Sequence, residues 1–281
     1  MRLAVLSDIH GNLPALEAVL TDARAAGVDQ LVNLGDIVSG PLWPRQTAER
    51  LMALNLPTLA GNHERQLLAP DQAAMGASDA WAAARLTAAQ AGWLASLPGT
   101  LALAPHVLMC HGTPTSDRHY LMETVVPGFA PTAARPSAAP DPGLGAEATP
   151  AHRGLRPATP GELARRLGDA LLGVPQALVL CGHSHVPRAM QLADGRLVVN
   201  PGSVGLQAFD DDHAHPHFVE NHSPHARYAL LTLRPAGWQV ELRAVPHDHE
   251  AAARQAEAHG RPDWADALRT GRVGRREADF R

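Results

Sequence analysis

The stretch LVLCGHSHVPRA, residues 178–189, places two histidines directly after an apolar run. The apolar residues and the glycine that follows them are typical of a short buried strand that ends in a turn. His183 and His185 come next, with only Ser184 between them. Two imidazoles so close together at the end of a buried strand indicate a site at which something is bound.

Polar side chains follow four other predicted strands in the same way. These strands are expected at 2–7, 31–34, 57–60 and 107–110, and helical periodicity separates the first three. The alternation predicts a parallel sheet with helices on its faces, in which ligands bind outside the carboxyl ends of the strands. The polar residues after the five strands are Asp8 and His10, Asp36, Asn62 and His63, His111, and His183 with His185.

This set of carboxylates, imidazoles and one amide has the composition of a metal site. Such donors suit divalent Mn, Fe, Zn, Ni or Co, and no thiolate cage is present. The donors are too many for one ion, so two ions that share a carboxylate fit better. Paired ions about 3.5–4 Å apart clamp the attacking and leaving oxygens of an in-line displacement.

The order of these motifs resembles that of the calcineurin-like metallophosphoesterases. The family motifs D-x-H, G-D, G-N-H-[ED], an isolated His and G-H-x-H stand here at 8–10, 35–36, 61–64, 111 and 182–185. Together they organise about two-thirds of the chain. The resemblance implies an α/β fold, a four-layer αββα sandwich of two mixed sheets flanked by helices. A dinuclear metal site would lie at the carboxyl ends of the strands.

The family's residue roles carry over to the matching positions. A hydroxide that bridges the two metals would attack phosphorus, because metal binding lowers the pKa of water to about 7. His63 would stand beside the phosphoryl group and stabilise the transition state or protonate the leaving oxygen. The implied ligands are Asp8, His10 and His185 for the first ion, Asn62, His111 and His183 for the second, and Asp36 as the bridge.

Three residues beside these ligands are expected to have other roles. We expect Glu64 to be a supporting carboxylate rather than a ligand. Cys110 and Cys181 lie in apolar runs, so small buried thiols are favoured over a redox switch.

The chain departs from the protein serine/threonine phosphatases of this superfamily, which resemble G-D-x-V-D-R-G and R-G-N-H-E. Ser39 and Gly40 replace the second Asp and the Arg of the first motif, and Ala60 replaces the Arg before Gly61. The chain is more similar to small bacterial and archaeal phosphoesterases. That branch implies hydrolysis of phosphodiesters or phosphomonoesters, most often with manganese.

Two loops are candidates for substrate binding. In the loop after Asp36, Arg45 is expected to contact phosphate and Trp43 to pack on a flat leaving group; the alternative is that Trp43 packs the loop onto the body. In the loop after His111, Arg118 and Tyr120 are further candidates.

Composition narrows the classes of partner and location. The formal net charge is −4, no stretch has the ~18 apolar residues of a membrane span, and polar residues interrupt the N-terminal apolar run. Two cysteines do not make a disulfide framework, so we expect a cytoplasmic protein. The expected partner is a small phosphorylated substrate, with a nucleotide among the candidates, rather than nucleic acid or a membrane. The oligomeric state stays open.

The chain is expected to form a single domain over 1–281. Residues 127–160 are rich in Pro and Ala and predict a mobile insertion, with a lid over the site as the alternative. Residues 226–281 predict a hairpin followed by helices. The histidine-rich run at 210–218 is expected to be a solvated loop, although it could bind a further metal.

Two other functions remain open at this stage. One is hydrolysis of dinucleoside polyphosphates, as by a diadenosine tetraphosphatase. The other is a non-catalytic scaffold of the same fold, which is disfavoured because such members typically lose metal ligands or the motif histidine. Here every ligand position and His63 are present.

Overall fold

The computed structural model describes residues 1–71, 75–130 and 153–277 of the chain. None of the helices in these ranges is long and apolar enough to cross a bilayer. The strands are β1 (Arg2–Leu6), β2 (Gln30–Asn33), β3 (Thr100–Ala104), β4 (Val107–Cys110), β5 (Glu123–Val125), β6 (Leu155–Pro157), β7 (Leu178–Leu180), β8 (Arg188–Gln191), β9 (Leu197–Asn200), β10 (Ala208–Asp211), β11 (His217–Glu220), β12 (Ala226–Arg234) and β13 (Gly237–Val245). The helices are α1 (Leu13–Ala25), α2 (Pro44–Leu54), α3 (Asn62–Leu67), α4 (Ala77–Ala83), α5 (Ala88–Ser96), α6 (Pro160–Leu167), α7 (His249–Ala258) and α8 (Pro262–Thr270).

Two mixed sheets carry most of these strands. The first has the order β13-β12-β1-β2, in which β1 and β2 are parallel and β12 is antiparallel to β1. The second has the order β3-β4-β7-β9-β8, in which β4, β7 and β9 are parallel and the two edge strands are antiparallel. The parallel strands β1, β2, β4 and β7 therefore end on polar loops that can meet at one edge of the sandwich.

The two sheets pack face to face and helices cover their outer faces. Leu3 and Val5 of β1 share one buried cluster with Leu178 and Leu180 of β7. The opposite face of the first sheet packs on α1 and α2 in a second cluster. The opposite face of the second sheet packs on α6 in a third. The expected αββα sandwich with two mixed sheets is confirmed. Each sheet is covered on both sides because successive side chains of a strand point to opposite faces and both faces here are apolar.

The C-terminal residues belong to this architecture and also extend it. The predicted hairpin is β12–β13, and β12 pairs with residues 2–5 of β1, so the hairpin belongs to the first sheet. Helices α7 and α8 form a separate apolar cluster with β10, which includes Leu206 and Trp264. This second layer of helices brings C-terminal side chains to the edge where the polar loops meet.

Two local predictions were wrong. The strand expected at 57–60 is reduced to an isolated bridge between Asn33 and Thr58. The histidine-rich run is a hairpin of β10 and β11, in which His217 is buried and only the tip at 212–215 is exposed.

The predicted insertion at 127–160 falls largely on residues 131–152, which lie outside the described residues. Its described end is structured earlier than expected. Strand β6, at 155–157, pairs antiparallel with β5. Helix α6 begins at Pro160, after a capping box formed by Thr159 and Glu162.

Candidate metal centre

Loops at the carboxyl ends of the strands bring the predicted ligands together in two groups. Within each group, one ligand atom from every residue lies within 4.8 Å of the others. Asn62 joins the second group, because its Oδ1 lies 3.1 Å from His111 Nε2. The first group is Asp8, His10 and His185, and the second is Asp36, His111 and His183.

The backbone at most of these ligands is left-handed, which non-glycine residues rarely adopt. The residues concerned are Asp8 (φ 54°), His10 (φ 51°), Asp36 (φ 53°), His183 (φ 68°) and His185 (φ 58°). Each such residue costs about 1–3 kcal/mol and persists only where the surroundings over-determine it. Strain concentrated at a set of titratable side chains is typical of a functional site.

Two glycines let the loops approach closely enough for the groups to form. A Cβ on Gly61 would overlap Asp36 Oδ1, and a Cβ on Gly182 would overlap the Ser7 hydroxyl beside Asp8. The glycines of the G-N-H-E and G-H-x-H motifs are therefore required by the space available.

The ligand histidines are held in a fixed tautomer by backbone carbonyls. A backbone carbonyl can only accept a hydrogen bond, so the Nδ1 beside it carries the proton. In a neutral ring, Nε2 then keeps the free lone pair. The Nδ1 contacts are His10 to Ser39 O at 2.9 Å, His111 to Leu34 O at 2.8 Å and His185 to Leu206 O at 2.7 Å. His183 is hydrogen-bonded to the backbone of Arg118.

The geometry of the first group fits a divalent cation. His10 Nε2 and His185 Nε2 lie 3.1 Å apart, although both are lone-pair nitrogens in the tautomer that the carbonyls impose. Asp8 Oδ1 is buried and accepts no hydrogen bond, with His185 Nε2 3.4 Å away. Converging lone pairs and an unpaired buried carboxylate oxygen are unfavourable unless a cation lies among them.

The second group adjoins the first and has the same character. Asp36 Oδ2 lies 3.1 Å from His111 Nε2, and Asp8 Oδ1 lies 4.0 Å from the same nitrogen. The other oxygen of Asp36 accepts a hydrogen bond from the His63 backbone N–H at 3.0 Å. Asp36 therefore contacts the second group, and its charge also acts on His10 of the first.

The pKa values of the histidines in the site are set by burial and by the charges of their neighbours. Burial, with the neighbouring His185, lowers the pKa of His10 to about 3; burial, with the neighbouring His111, lowers that of His183 to about 3. Both are therefore neutral at pH 7 and can act as ligands. Burial also disfavours charge on His111, but Asp36 outweighs it and raises the pKa to about 9. The site therefore favours positive charge at the position of His111 Nε2.

Glu64 supports the site from behind, as expected, and lies outside both groups. Its Oε2 accepts from the backbone N–H groups of Asp36 and Gly61 at 2.8 Å each, and its Oε1 accepts from Ile37 at 2.8 Å. Burial and the nearby Asp36 raise the pKa of Glu64 to about 7 in spite of these donors. One side chain thereby ties the loop after β2 to the start of α3.

His63 faces the site and is oriented by a residue that no motif indicates. Its Nδ1–H donates to Asp79 Oδ1 at 2.8 Å. Burial lowers the pKa of His63, but the carboxylates of Asp36 and Asp79 outweigh it and raise the value to about 10. The ring lies 5.4 Å from that of His10, so it stands beside the first group as a protonated imidazole.

A cavity of about 440 Å³ opens over both groups. His63, Tyr120 and Asp79 line it with the ligands, and β10 and α8 supply its far wall through Phe209 and Trp264. Sequence reasoning missed Asp79, Phe209 and Trp264. Asp79 lies in an Ala-rich helix, and the other two lie outside the five motifs, so no pattern distinguished them from core residues.

The four expected substrate-binding residues are divided by the structure. Tyr120 lies against the second group, with its ring 4.7 Å from His183, and its hydroxyl is 2.9 Å from His217 Nε2. Arg118 is exposed in an adjoining cavity that also reaches His183. Arg45 and Trp43 line neither cavity; they border a separate cleft beside His259. Trp43 packs on the apolar cluster of α7 and α8, which is the alternative packing role considered for it.

The two cysteines are buried thiols and take no part in either group. Cys110 Sγ donates to the carbonyls of Gly112 and Leu180, and burial raises its pKa to about 12. Burial also raises the pKa of Cys181. Thiols with such pKa values are inert as metal ligands and nucleophiles at neutral pH.

Comparisons with known proteins agree with this architecture. An uncharacterized protein of Methanocaldococcus jannaschii, MJ0912, is 42% identical over 66 residues, which are 24% of this chain and 27% of that protein. The match thus spans about a quarter of that curated relative. The crystal structure of a metallophosphoesterase from Sphaerobacter thermophilus is 24% identical, with a TM-score of 0.64 over 96% of this chain and 100% of that one. The hypothetical protein PH1004 from Pyrococcus horikoshii OT3 is 18% identical, with a TM-score of 0.66 over 96% and 98%.

At these identities the solved structures establish the fold alone. The family is established by sequence, because the sequence model of the calcineurin-like phosphoesterases matches residues 1–187. That range contains all five motifs and both groups of candidate ligands. The chain therefore belongs to the calcineurin-like phosphoesterase family.

Proposed function

We propose that this protein is a hydrolase that uses two divalent metal ions to cleave a phosphomonoester or a phosphodiester. The observation that carries the proposal is the convergence of six donor side chains around Asp36. Asp8, His10 and His185 would hold one ion, Asn62, His111 and His183 the other, and Asp36 both. The donor set suits Mn²⁺, and Fe, Zn, Ni or Co would also fit.

The bound ions would supply Lewis acidity and a nucleophile generated from water near neutral pH. The chain's own contribution is to fix the donors before substrate arrives. Backbone carbonyls set the tautomers of the histidines, and Glu64 anchors the loop that carries Asp36. Such preorganisation removes the cost of reordering the site during the reaction.

His63 would act on the leaving oxygen. Asp79 occupies its Nδ1 and leaves Nε2 for the substrate. A protonated imidazole beside the phosphoryl group can donate a hydrogen bond to charge that develops on oxygen and can then transfer the proton. Its position next to Asn62 at the start of α3 places it between the ligand groups and the cavity.

A second candidate is hydrolysis of a dinucleoside polyphosphate, which one observation favours. The cavity of about 650 Å³ that adjoins the second group is lined by Arg118, Arg165 and Arg166. Arginines at this place could bind phosphates beyond the one under attack. The scaffold alternative receives no support from the donor geometry, since the ligand positions and His63 are all present.

The experiment is a rate comparison on protein stripped of metal and restored with Mn²⁺. The substrates are bis-p-nitrophenyl phosphate and p-nitrophenyl phosphate. We expect turnover that requires metal, and the faster substrate identifies the ester class. No metal-dependent turnover of either, with ATP and diadenosine tetraphosphate also inert, would contradict the proposal.

A further inference from the structure

One wall of the cavity over the first ligand group is aromatic. It is formed by residues of β10, of the preceding loop and of α8, all beyond the 1–187 range that matches the family. Phe209 and Trp264 are its two aromatic residues. The apolar residues of this wall, here called the aromatic wall, are Leu206, Ala208, Phe209, Trp264, Ala267 and Val273.

The two aromatic side chains differ in exposure and packing. The Phe209 ring lies 4.6 Å from the His185 ring at an interplanar angle of 62°, and its side chain is partly exposed to the cavity. Trp264 lies 5.9 Å from His10 and is only 6% exposed. Its ring packs so closely on Gly40 that a Cβ there would overlap it. Trp264 is thus the buried back of the wall, and Phe209 is the more exposed of its two rings.

The charges around the aromatic wall are unfavourable for an anion. Asp210 and Asp211 stand next to Phe209 on β10. The two arginines that border the cavity are already paired, Arg65 with Asp117 at 2.8 Å and Arg275 with Asp266 at 2.9 Å. Like charges in a partly enclosed site repel an anionic group strongly, because the local dielectric is low.

The adjoining cavity is richer in positive charge, because three arginines line it together with Glu123 and Asp211. Arg118 and Arg165 are exposed there and face no carboxylate within ion-pair distance among the described residues. Both cavities are lined by Asn62 and His183, so they meet at the second ligand group. Charged parts of a substrate would therefore be directed to one side of the metals, and uncharged parts to the other.

The size of the cavity is suited to a ring as well as the phosphoryl group. An engineered protein cavity of about 150 Å³ holds a benzene molecule. The cavity here measures about 440 Å³, so one ring against the aromatic wall leaves room for the phosphoryl group over the ligands.

We propose that Phe209 and Trp264 form a subsite for a flat, uncharged ring carried by one ester group of the substrate. This inference rests on the proposed function, because the metals would anchor the phosphoryl group from which the ring extends. An aryl group and a nucleobase share this chemistry. Stacking of a ring on one aromatic side chain contributes about 1–1.5 kcal/mol, which corresponds to about a tenfold gain in affinity.

The test measures binding of phosphonates that the enzyme cannot hydrolyse, so it does not depend on turnover. Titration calorimetry on Mn²⁺-loaded protein compares phenylphosphonate, methylphosphonate and the methylenephosphonate analogue of AMP. The variant is Phe209→Leu, which keeps the apolar volume but removes the ring face. The matched control is Phe218→Leu on the neighbouring strand β11, where the ring packs on Phe129 at 5.1 Å and lines neither cavity.

We expect the wild type and Phe218→Leu to bind phenylphosphonate about tenfold more tightly than methylphosphonate, and Phe209→Leu to lose most of that preference. Tighter binding of the AMP analogue than of phenylphosphonate identifies a nucleobase, and the reverse identifies an aryl group. Equal affinity for the two simple phosphonates, an unchanged preference in Phe209→Leu, or no binding of either would overturn the inference. A preserved ring preference without hydrolysis of any ester would overturn the proposed function alone.

Discussion

The Nδ1–H of His63 donates to Asp79 Oδ1 at 2.8 Å, across a separation of sixteen residues in the sequence. The carboxylate is 4% exposed and belongs to α4, whereas the histidine belongs to α3. This pair fixes which nitrogen of His63 can reach a substrate. It also links the G-N-H-E motif to a helix that carries no motif.

Asp79→Ala should lower kcat on the better p-nitrophenyl substrate about tenfold while KM stays within about twofold. The reason is that His63 loses both its orientation and a carboxylate that favours its protonated form. His63→Asn should lower kcat about a hundredfold or more. Asp29→Ala, which removes an exposed carboxylate that accepts from the Arg2 backbone N–H and lies outside the cavity, is the control. Full kcat in Asp79→Ala would remove Asp79 from the mechanism.

The wild-type chain should bind two Mn²⁺ ions, as counted by titration calorimetry on protein stripped of metal. His185→Ala should bind one, because it removes a donor from the first group and leaves the second intact. His213→Ala is the matched control, since this histidine lies at the exposed tip of the β10–β11 hairpin. A stoichiometry of one in the wild type, or the same loss in the control, would contradict the assignment of ligands.

Two bound metal ions should together raise the melting temperature by about 10–20 °C. Each site contributes about 2.7 kcal/mol when free metal exceeds its Kd a hundredfold, and about 2–4 °C per kcal/mol is usual for chains of this size. The physical source is the relief of the 3.1 Å contact between the lone pairs of His10 and His185. The measurement is calorimetric unfolding with Mn²⁺ and with EDTA, and coincident transitions would count against a resident cation.

Glu64→Ala should lower the free energy of unfolding by about 3 kcal/mol or more, even in EDTA. Three buried backbone N–H groups lose their acceptor, and each unsatisfied donor costs about 1–3 kcal/mol. The measurement is urea denaturation. The control is Glu49→Ala on the exposed side of α2, where a change within about 0.5 kcal/mol is expected. A loss as small for Glu64 as for Glu49 would show that the carboxylate does not hold the two loops together.

Acidification should destabilise the chain through His247, which lies far from the ligands in sequence, after β13. Burial, with the neighbouring His249, lowers its pKa to about 4 from an ordinary value of 6.5. Because the folded pKa lies below the unfolded one, this contribution is present above about pH 6.5 and is lost as the pH falls toward 4. The residue is partly buried, so we expect a loss of about 1–2 kcal/mol between pH 7.5 and pH 5.

The check on His247 is the urea midpoint at pH 7.5 and pH 5, both in EDTA so that metal release does not contribute. His247→Phe should show a smaller drop between the two pH values than the wild type. His215→Ala, at the exposed hairpin tip, should behave as the wild type. An identical drop in all three proteins would assign the pH dependence to other groups.

The grouping of the candidate ligands could be predicted from the sequence because most of them follow an apolar strand. The two mixed sheets follow from the same alternation. The strand expected at 57–60 failed for a physical reason. Thr58 bridges to Asn33, and the chain then turns into Gly61 and α3 instead of extending the sheet.

Residues that reach the site from other elements could not be predicted in this way. Asp79 is one acidic residue in a helix, and nothing in a single sequence says which way that helix turns. Trp43 shows the converse, because proximity to Asp36 in the chain suggested substrate contact. The loop instead turns toward α7 and α8, and the Trp43 backbone N–H donates to Gly11 O at 3.0 Å. Long-range packing, absent from local pattern, decides both cases.

The left-handed backbone at five of the candidate ligands sets two kinds of selection against each other. At such a position glycine relieves the backbone, so a search for thermal stability alone would tend to replace Asp8, His10 or His183 with glycine. Each replacement would remove a donor from the centre. Directed evolution of a more thermostable variant should therefore be screened for metal content in every round, because stability gained at these positions would come from the loss of candidate metal ligands.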